Sequence, residues 1–290
     1  LNHLQYDEIR NGSCCPSIII SLAGPWLHIS GAVFVDVFIV QRLLGYIYLG
    51  GNPYDRSQIK YVAKAFEAVA QAVRSLRVYY RDLPVRSELK PCLPSPSFSQ
   101  DEPLSGSLVF KSRIFFQDKA DNRRPLFRAT LNNIPVIVKF CETYGEAAHR
   151  RLAAEGLAPS IHYCSRITGG AIMVVMDEVA GRNADQEFKD HDIPLSVLKD
   201  IKHALEVLHR EGFVFGDVRR PNVIVTKSLD EHGNEGWHGK LVDFDWAGKV
   251  NEATYPIMLN DSIRWARGVE GGAVILPEHD DYMLKQICKW

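Results

Sequence analysis

The chain has 290 residues, 46% of them apolar and 24% charged, with a formal net charge of −1. That size allows two small domains or one bilobal one, and the composition is that of a soluble globular protein rather than a disordered or fibrous one. A charge near zero excludes the broad basic face that nucleic acid or an anionic membrane would need, so partners must be selected locally.

Six Cys, at 14, 15, 92, 141, 164 and 288, include no C-x-x-C pair. A zinc site is therefore not indicated, and a reduced, intracellular compartment (cytoplasmic or nuclear) is the simpler reading. The chain opens on Leu1 rather than Met, which reads as a fragment or processed product. Ser17 to Val40 is apolar, but Pro25, His28 and Asp36 interrupt it. A charge inside a membrane span is costly, so buried strands are expected there and no membrane helix.

Ser17–Leu22, Leu27–Ser30 and Ala32–Val40 read as strands, with Gly-Pro and Ser-Gly turns between them, and Tyr46–Gly51 as a further one. From Asp55 to Tyr80 the recurrence of Ile59, Ala63, Phe66, Val69, Ala70, Val73 and Leu76 predicts a core-facing helix. Residues 1–83 thus make a partial strand-then-helix module. Pro91, Pro94, Pro96 and Pro103 break the stretch 84–103, which reads as a linker.

A second domain, 104–290, begins with strands at Ser107–Phe116, Pro125–Leu131 and Ile134–Phe140. A short helix over Tyr144–Gly156 ends on a glycine cap. Ile161–Cys164 and Ala171–Val179 follow as strands around a Gly169-Gly170 turn. Leu198, Ile201, Leu205 and Leu208 mark the inner face of a helix over Leu195–Arg210, stopped by Gly212. Val223–Val225 and Lys240–Val242 then form a hairpin with a long polar tip, 228–239.

Ahead of and behind that hairpin lie the two informative motifs, Gly216-Asp217-Val218-Arg219-Arg220-Pro221-Asn222 and Asp243-Phe244-Asp245-Trp246-Ala247-Gly248. An Asp followed five positions later by an Asn, and a second Asp beyond a short hairpin, resembles the H-R-D-x-x-x-x-N and D-F-G pair of the protein-kinase-like superfamily. The wording is also similar to the divergent kinase-like domains of fungal and oomycete crinkler-type proteins, and to aminoglycoside and choline phosphotransferases. The resemblance implies an α+β, bilobal kinase-like fold with an N-lobe over 104–178 and a C-lobe over 179–290. Only 47 residues (244–290) follow Asp243 and none spells A-P-E, so the C-lobe is expected to be abridged. In crinkler-type proteins a nuclease-like module often precedes the kinase-like one, which would make 1–83 a remnant of it and Asp36 and Gln41 remnants of its metal site, set against the ordinary reading of a solvated or paired strand carboxylate.

The same resemblance assigns roles. Asp217 meets the acceptor hydroxyl, Asn222 and Asp243 hold magnesium, and Lys139, closing Ile134-Pro-Val-Ile-Val-Lys139, reaches the ATP phosphates. Glu146 is the expected partner of Lys139, with Glu142 in reserve. Adenine would lie on the backbone of Asp177 and Val179, with Met176 behind it. Departures are equally plain. Phe215 stands where kinases carry His, Gly216 where many carry Arg, and Asp245 where they carry Gly; Gln117–Arg124 has no glycine, leaving Lys119, Arg123 or Arg124 as candidate phosphate contacts. Arg219 and Arg220 read either as cations balancing the transferred phosphate or as paired surface residues. Asp280 reads either as a brace for the Asp217 loop or as a helix cap. The expected activity is ATP- and magnesium-dependent transfer to a protein Ser or Thr. A small-molecule hydroxyl acceptor and a pseudokinase scaffold remain alternatives.

Overall fold

A computed structural model describes residues 13–34, 38–83, 93–96, 98, 103–114, 125–167, 170–189, 191–229 and 235–287. Asp36, Lys119, Arg123 and Arg124 lie outside these. The chain divides into two compact units, Leu1–Ser95 and Pro96–Trp290.

In the first unit β1 (Ser17–Ala23), β2 (Trp26–Phe34), β3 (Phe38–Arg42) and β4 (Ile47–Tyr48) form an antiparallel sheet in which β2 pairs with the other three. Gly24, at φ +55°, makes the first turn. The Ser-Gly turn expected at Ser30-Gly31 does not form. Ser30 is buried and Gly31 pairs with both Ile18 and Gln41, so β2 runs straight through. Helix α1 (Arg56–Arg81) starts on Asp55, whose Oδ1 accepts from the amides of Ser57 at 2.9 Å and Gln58 at 3.2 Å.

Its inner stripe differs from the expected one. Ala65 is buried, Val62 and Val69 pack beside it, and Ile59, Phe66 and Val73 are exposed. The apolar face of α1 is wider than the sheet it meets, and the flank carrying the larger side chains remains outside.

The second unit opens with a five-stranded antiparallel sheet in the order β5-β6-β7-β9-β8. The strands are β5 (Leu108–Arg113), β6 (Leu126–Leu131), β7 (Ile134–Cys141), β8 (Ile161–Arg166) and β9 (Ile172–Asp177), and helix α2 (Glu146–Ala154) lies between β7 and β8 in the chain. Three strands, a helix and two strands is the upper-lobe succession that the kinase resemblance implied. Met173, Val174 and Val175 of β9 are fully buried, as befits a strand packed on both faces.

Below the sheet come β10 (Arg182–Asn183), the short α3 (Ala184–Glu187) and α4 (Leu195–Arg210). They are followed by β11 (Phe213–Val214), a 3-10 turn at Arg220–Asn222, the hairpin β12 (Val223–Leu229) and β13 (Glu235–Leu241), β14 (Gly248–Lys249) and α5 (Pro277–Ile287). Helix α4 has the bounds its periodicity predicted. Ile201, Ala204, Leu205 and Leu208 on α4 join Phe215, Val223, Leu241, Phe244 and Met283 in one core, which fixes the segments before and after each motif. The architecture of this unit is mixed α+β, a five-stranded antiparallel sheet with one helix followed by a part built of helices and short hairpins. Among the described residues no helix is long and apolar enough to cross a membrane.

Candidate active site

The Asp217 loop is set by glycine and by a buried carboxylate. Gly216 adopts φ +84°, and a Cβ there would lie 2.7 Å from Ile275 Cδ1, so a side chain is disfavoured by both conformation and space. The amides of Phe215 and Gly216 each donate to Asp280 at 2.8 Å, through Oδ2 and Oδ1 respectively. His209 Nε2 also bonds Asp280 Oδ2, at 3.1 Å. Asp280 on α5 is 1% exposed. Of its two readings it is the brace, and it replaces water for two backbone donors that the turn would otherwise bury unpaired.

Asp217 is itself buried. Its carboxylate takes a bidentate contact from Arg219, with Nη2 to Oδ2 at 2.6 Å, and Oδ2 also accepts from Asn222 Nδ2 at 2.8 Å. Asn222 Nδ2 bonds the Asp217 carbonyl as well, at 3.0 Å, which leaves Oδ1 as the ligand atom Asn222 can offer. Burial pushes the Asp217 carboxyl up, with the charge of Asp243 adding to it, and Arg219 only partly pulls it back. Arg220 turns away to the carbonyls of Phe188 (3.0 Å), His191 (3.3 Å) and Ile287 (3.3 Å), a purely structural anchor.

The second motif is joined to the first by Val242 N–H to Asn222 O at 3.0 Å. Asp243 holds φ +68°, a conformation that costs a non-glycine residue roughly 1–2 kcal/mol and is concentrated at functional positions. Phe244 faces inward, stacked on the His149 ring at 4.2 Å and 3° and edge-on to Phe215 at 5.2 Å. Phe215 thus fills the place of the expected His by packing, without a hydrogen bond.

His149 joins that aromatic column as a neutral group. Burial lowers its pKa to about 4, so Nε2–H donates to Pro159 O at 2.8 Å and Nδ1 accepts from Tyr144 Oη at 2.6 Å. In the sequence His149 is open to a packed or an exposed reading, and no linear signal marks it or Tyr144 as forming the site.

Lys139 is 4% exposed and makes ion contacts with both Asp243 and Asp245, the latter at 2.6 Å. Burial works to lower its pKa, but the two carboxylates prevail and the ammonium stays charged. Glu146, expected as its partner, is not there. It opens α2, points along the helix surface and pairs with Arg150 one turn on, at 2.7 Å. The sequence signal for the true partner was the charge at 245, two positions after the motif Asp.

The segment expected to face adenine is mixed. Asp177 N–H is taken by Ser160 O at 3.0 Å, so Asp177 has only its carbonyl to offer, whereas Val179 N–H makes no backbone bond among the described residues. Asp177 and Val179 line a cavity of about 400 Å³ with Pro135, Ala158, Pro159 and Lys240; Lys139, Asp217, Asn222 and Asp243 are not part of its lining. Among the described residues no group of three or more His, Cys, Asp and Glu could hold a metal. One carboxylate, Asp243, plus the Asn222 carbonyl is nevertheless the sparse hard-oxygen set that suits magnesium held jointly with phosphates.

Comparison with known proteins yields no matching family model and no matching curated protein. Two similar solved structures are those of vaccinia related kinase 3 and the Cydia pomonella granulovirus kinase PK-1. The first is 16% identical with a TM-score of 0.49, over 69% of this chain and 68% of that one. The second is 14% identical with a TM-score of 0.42, over 61% and 65%. The chain therefore spans about two thirds of either kinase, and neither likeness assigns it a residue role.

Proposed function

We propose that the chain is an ATP- and magnesium-dependent phosphotransferase whose acceptor is a protein Ser or Thr hydroxyl. The observation that carries this reading is the meeting of Lys139 with Asp243, 104 positions away in sequence, beside an Asp217–Asn222 pair locked by hydrogen bonds. Four residue types that phosphoryl transfer requires stand together on a braced loop and a buried sheet. The crinkler-type kinship and an intracellular location belong to the same proposal.

Lys139 would steady the ATP phosphates, and Asn222 Oδ1 with Asp243 would hold magnesium. When bound, the metal neutralises phosphate charge. Asp217 orients the acceptor hydroxyl and takes its proton as the new P–O bond forms and ADP departs. Its raised pKa suits that proton, but Arg219 must first give up one carboxylate oxygen.

That coverage of Asp217 also favours a second reading, a nucleotide-binding pseudokinase. Purified protein with labelled ATP and magnesium, offered a generic protein and a panel of hydroxyl metabolites, separates the cases. Label is expected on protein, falling roughly 10²–10⁴-fold in Asp217→Ala. Turnover unchanged by that substitution removes the assigned role, and transfer to a metabolite alone moves the acceptor class. A melting point raised by Mg-ATP without turnover establishes the pseudokinase.

A further inference from the structure

We propose that Asp245, the residue after the motif's Phe, is the positioning carboxylate for Lys139 in this chain, doing from inside the metal motif what an acidic residue on helix α2 was expected to do. The inference rests on the phosphotransferase reading for its purpose, but its geometry stands alone.

Three observations converge on it. The first is the contact, Lys139 Nζ to Asp245 Oδ1 at 2.6 Å, between two side chains that are 5% and 13% exposed; it is an ion contact held by charge and proximity, not an aligned hydrogen bond such as Lys139 makes to Asp243. Removing one member of an ion pair so far from solvent leaves the other buried and uncompensated, a penalty that a surface pair does not carry. The second is alternation along the motif. Phe244 turns into the core between His149 and Phe215, while the residues on either side of it, Asp243 and Asp245, both reach the ammonium. One carboxylate can then be given to a metal while the other keeps hold of the lysine.

The third is the exclusion of the helix. Its cap residue, Gly145, donates its N–H to Phe244 O at 2.8 Å, and a Cβ at Gly145 would lie 2.3 Å from Ala247 O. The helix start is pressed against the motif backbone, so position 145 has no room for a side chain. One residue on, Glu146 is 40% exposed and engaged with Arg150. Thr143 Oγ1 donates to Asp245 O at 3.0 Å, pinning the motif backbone from the same side. A glycine after Phe244, as in the kinase pattern, would leave the lysine with Asp243 alone.

The test is a double-substitution cycle on the full chain with Lys139→Met and Asp245→Asn, and Glu146→Gln as control. Without nucleotide or metal, the double variant is expected to melt no lower than the less stable single variant, because each substitution removes the same pair. With ADP and a chelator, calorimetry is expected to show Asp245→Asn weakening affinity about fivefold or more, and under about twofold once Lys139→Met is present. Glu146→Gln should leave both measurements unchanged.

Additive losses in the melting cycle overturn the inference. So does an Asp245→Asn effect that appears only when magnesium is added, which would make Asp245 a metal ligand, or an equal loss from Glu146→Gln. Should the wild-type protein bind no nucleotide, the phosphotransferase reading falls, while the melting cycle still decides whether Asp245 holds Lys139.

Discussion

The two units of the chain write apolar patterns of similar strength and bury them to very different degrees. Among the described residues of 17–81 the core is Leu27, Ile29, Ile47 and Ala65, with four partly buried neighbours, while Leu22, Trp26, Val40, Tyr46 and Phe66 lie exposed. In the second unit α4, the β12–β13 hairpin, both motifs and α5 share one continuous core. Periodicity states which residues are able to be buried. Whether they are depends on how many other elements arrive to cover them, and burial of each side chain is worth only about 1.5–3 kcal/mol when it is complete.

Breaking the denser core should have the largest effect on stability. Phe244 is fully buried and touches both His149 and Phe215, so Phe244→Ala is expected to cost about 3–5 kcal/mol in denaturant unfolding. Hydrogen exchange should accelerate in peptides of α4 and α5 and remain unchanged in β1–β3. A uniform acceleration would mean that the two units unfold as one and that the contrast between them is not energetic.

Acid should attack the same core next. His149 is held neutral with a pKa of about 4, below the ordinary value of about 6.5. As pH falls the unfolded chain takes up that proton first, so stability from this group is complete above about pH 6.5 and is lost progressively toward pH 4. The loss is on the order of 3 kcal/mol. Urea unfolding at pH 7 and pH 4.5 should show it, and His149→Phe should flatten that part of the dependence. An equally steep profile in the variant would assign the effect to other groups.

The sparser core should respond less. Leu27 is fully buried but has few buried neighbours to leave stranded, so Leu27→Ala is expected at about 2 kcal/mol, the low end for a leucine deletion, because the site can partly collapse. Exchange should quicken in β1–β3 and leave α4 as it was. A cost of about 4 kcal/mol or more would mean a tighter packing than four buried residues suggest.

This contrast also sorts what was legible in the sequence. Helix α4, the five-strand succession and the Asp217–Asn222 spacing were readable because each is a local pattern whose partners are dictated by chain order. The pairing of Lys139 was not. Glu146 offered a plausible carboxylate on the right helix, but Arg150 sits one turn away on the same surface and takes it. Asp245 is 106 positions from Lys139, and nothing in a linear reading ranks one distant carboxylate above another. The Asp280 brace had the correct residue and an undecided role, since a carboxylate in the first turn of a helix caps or reaches outward with equal ease. The stripe of α1 was misjudged because its apolar residues span two adjacent faces, and only the sheet, not the helix, chooses between them.

That choice is open to a final and gentle test. Phe66 is 44% exposed on the uncovered flank of α1, whereas Val62, Ala65 and Val69 face the sheet. If the flank meets water in the folded protein, Phe66→Gln removes little buried area and keeps helix propensity nearly constant, so unfolding free energy should move by no more than about 0.5 kcal/mol. Val69→Gln, on the inner stripe, should cost several times more, since it places an amide where no partner waits. Equal losses at 66 and 69 would show that the outer flank is covered in solution, and the first unit would then have to be regarded as one side of a larger core.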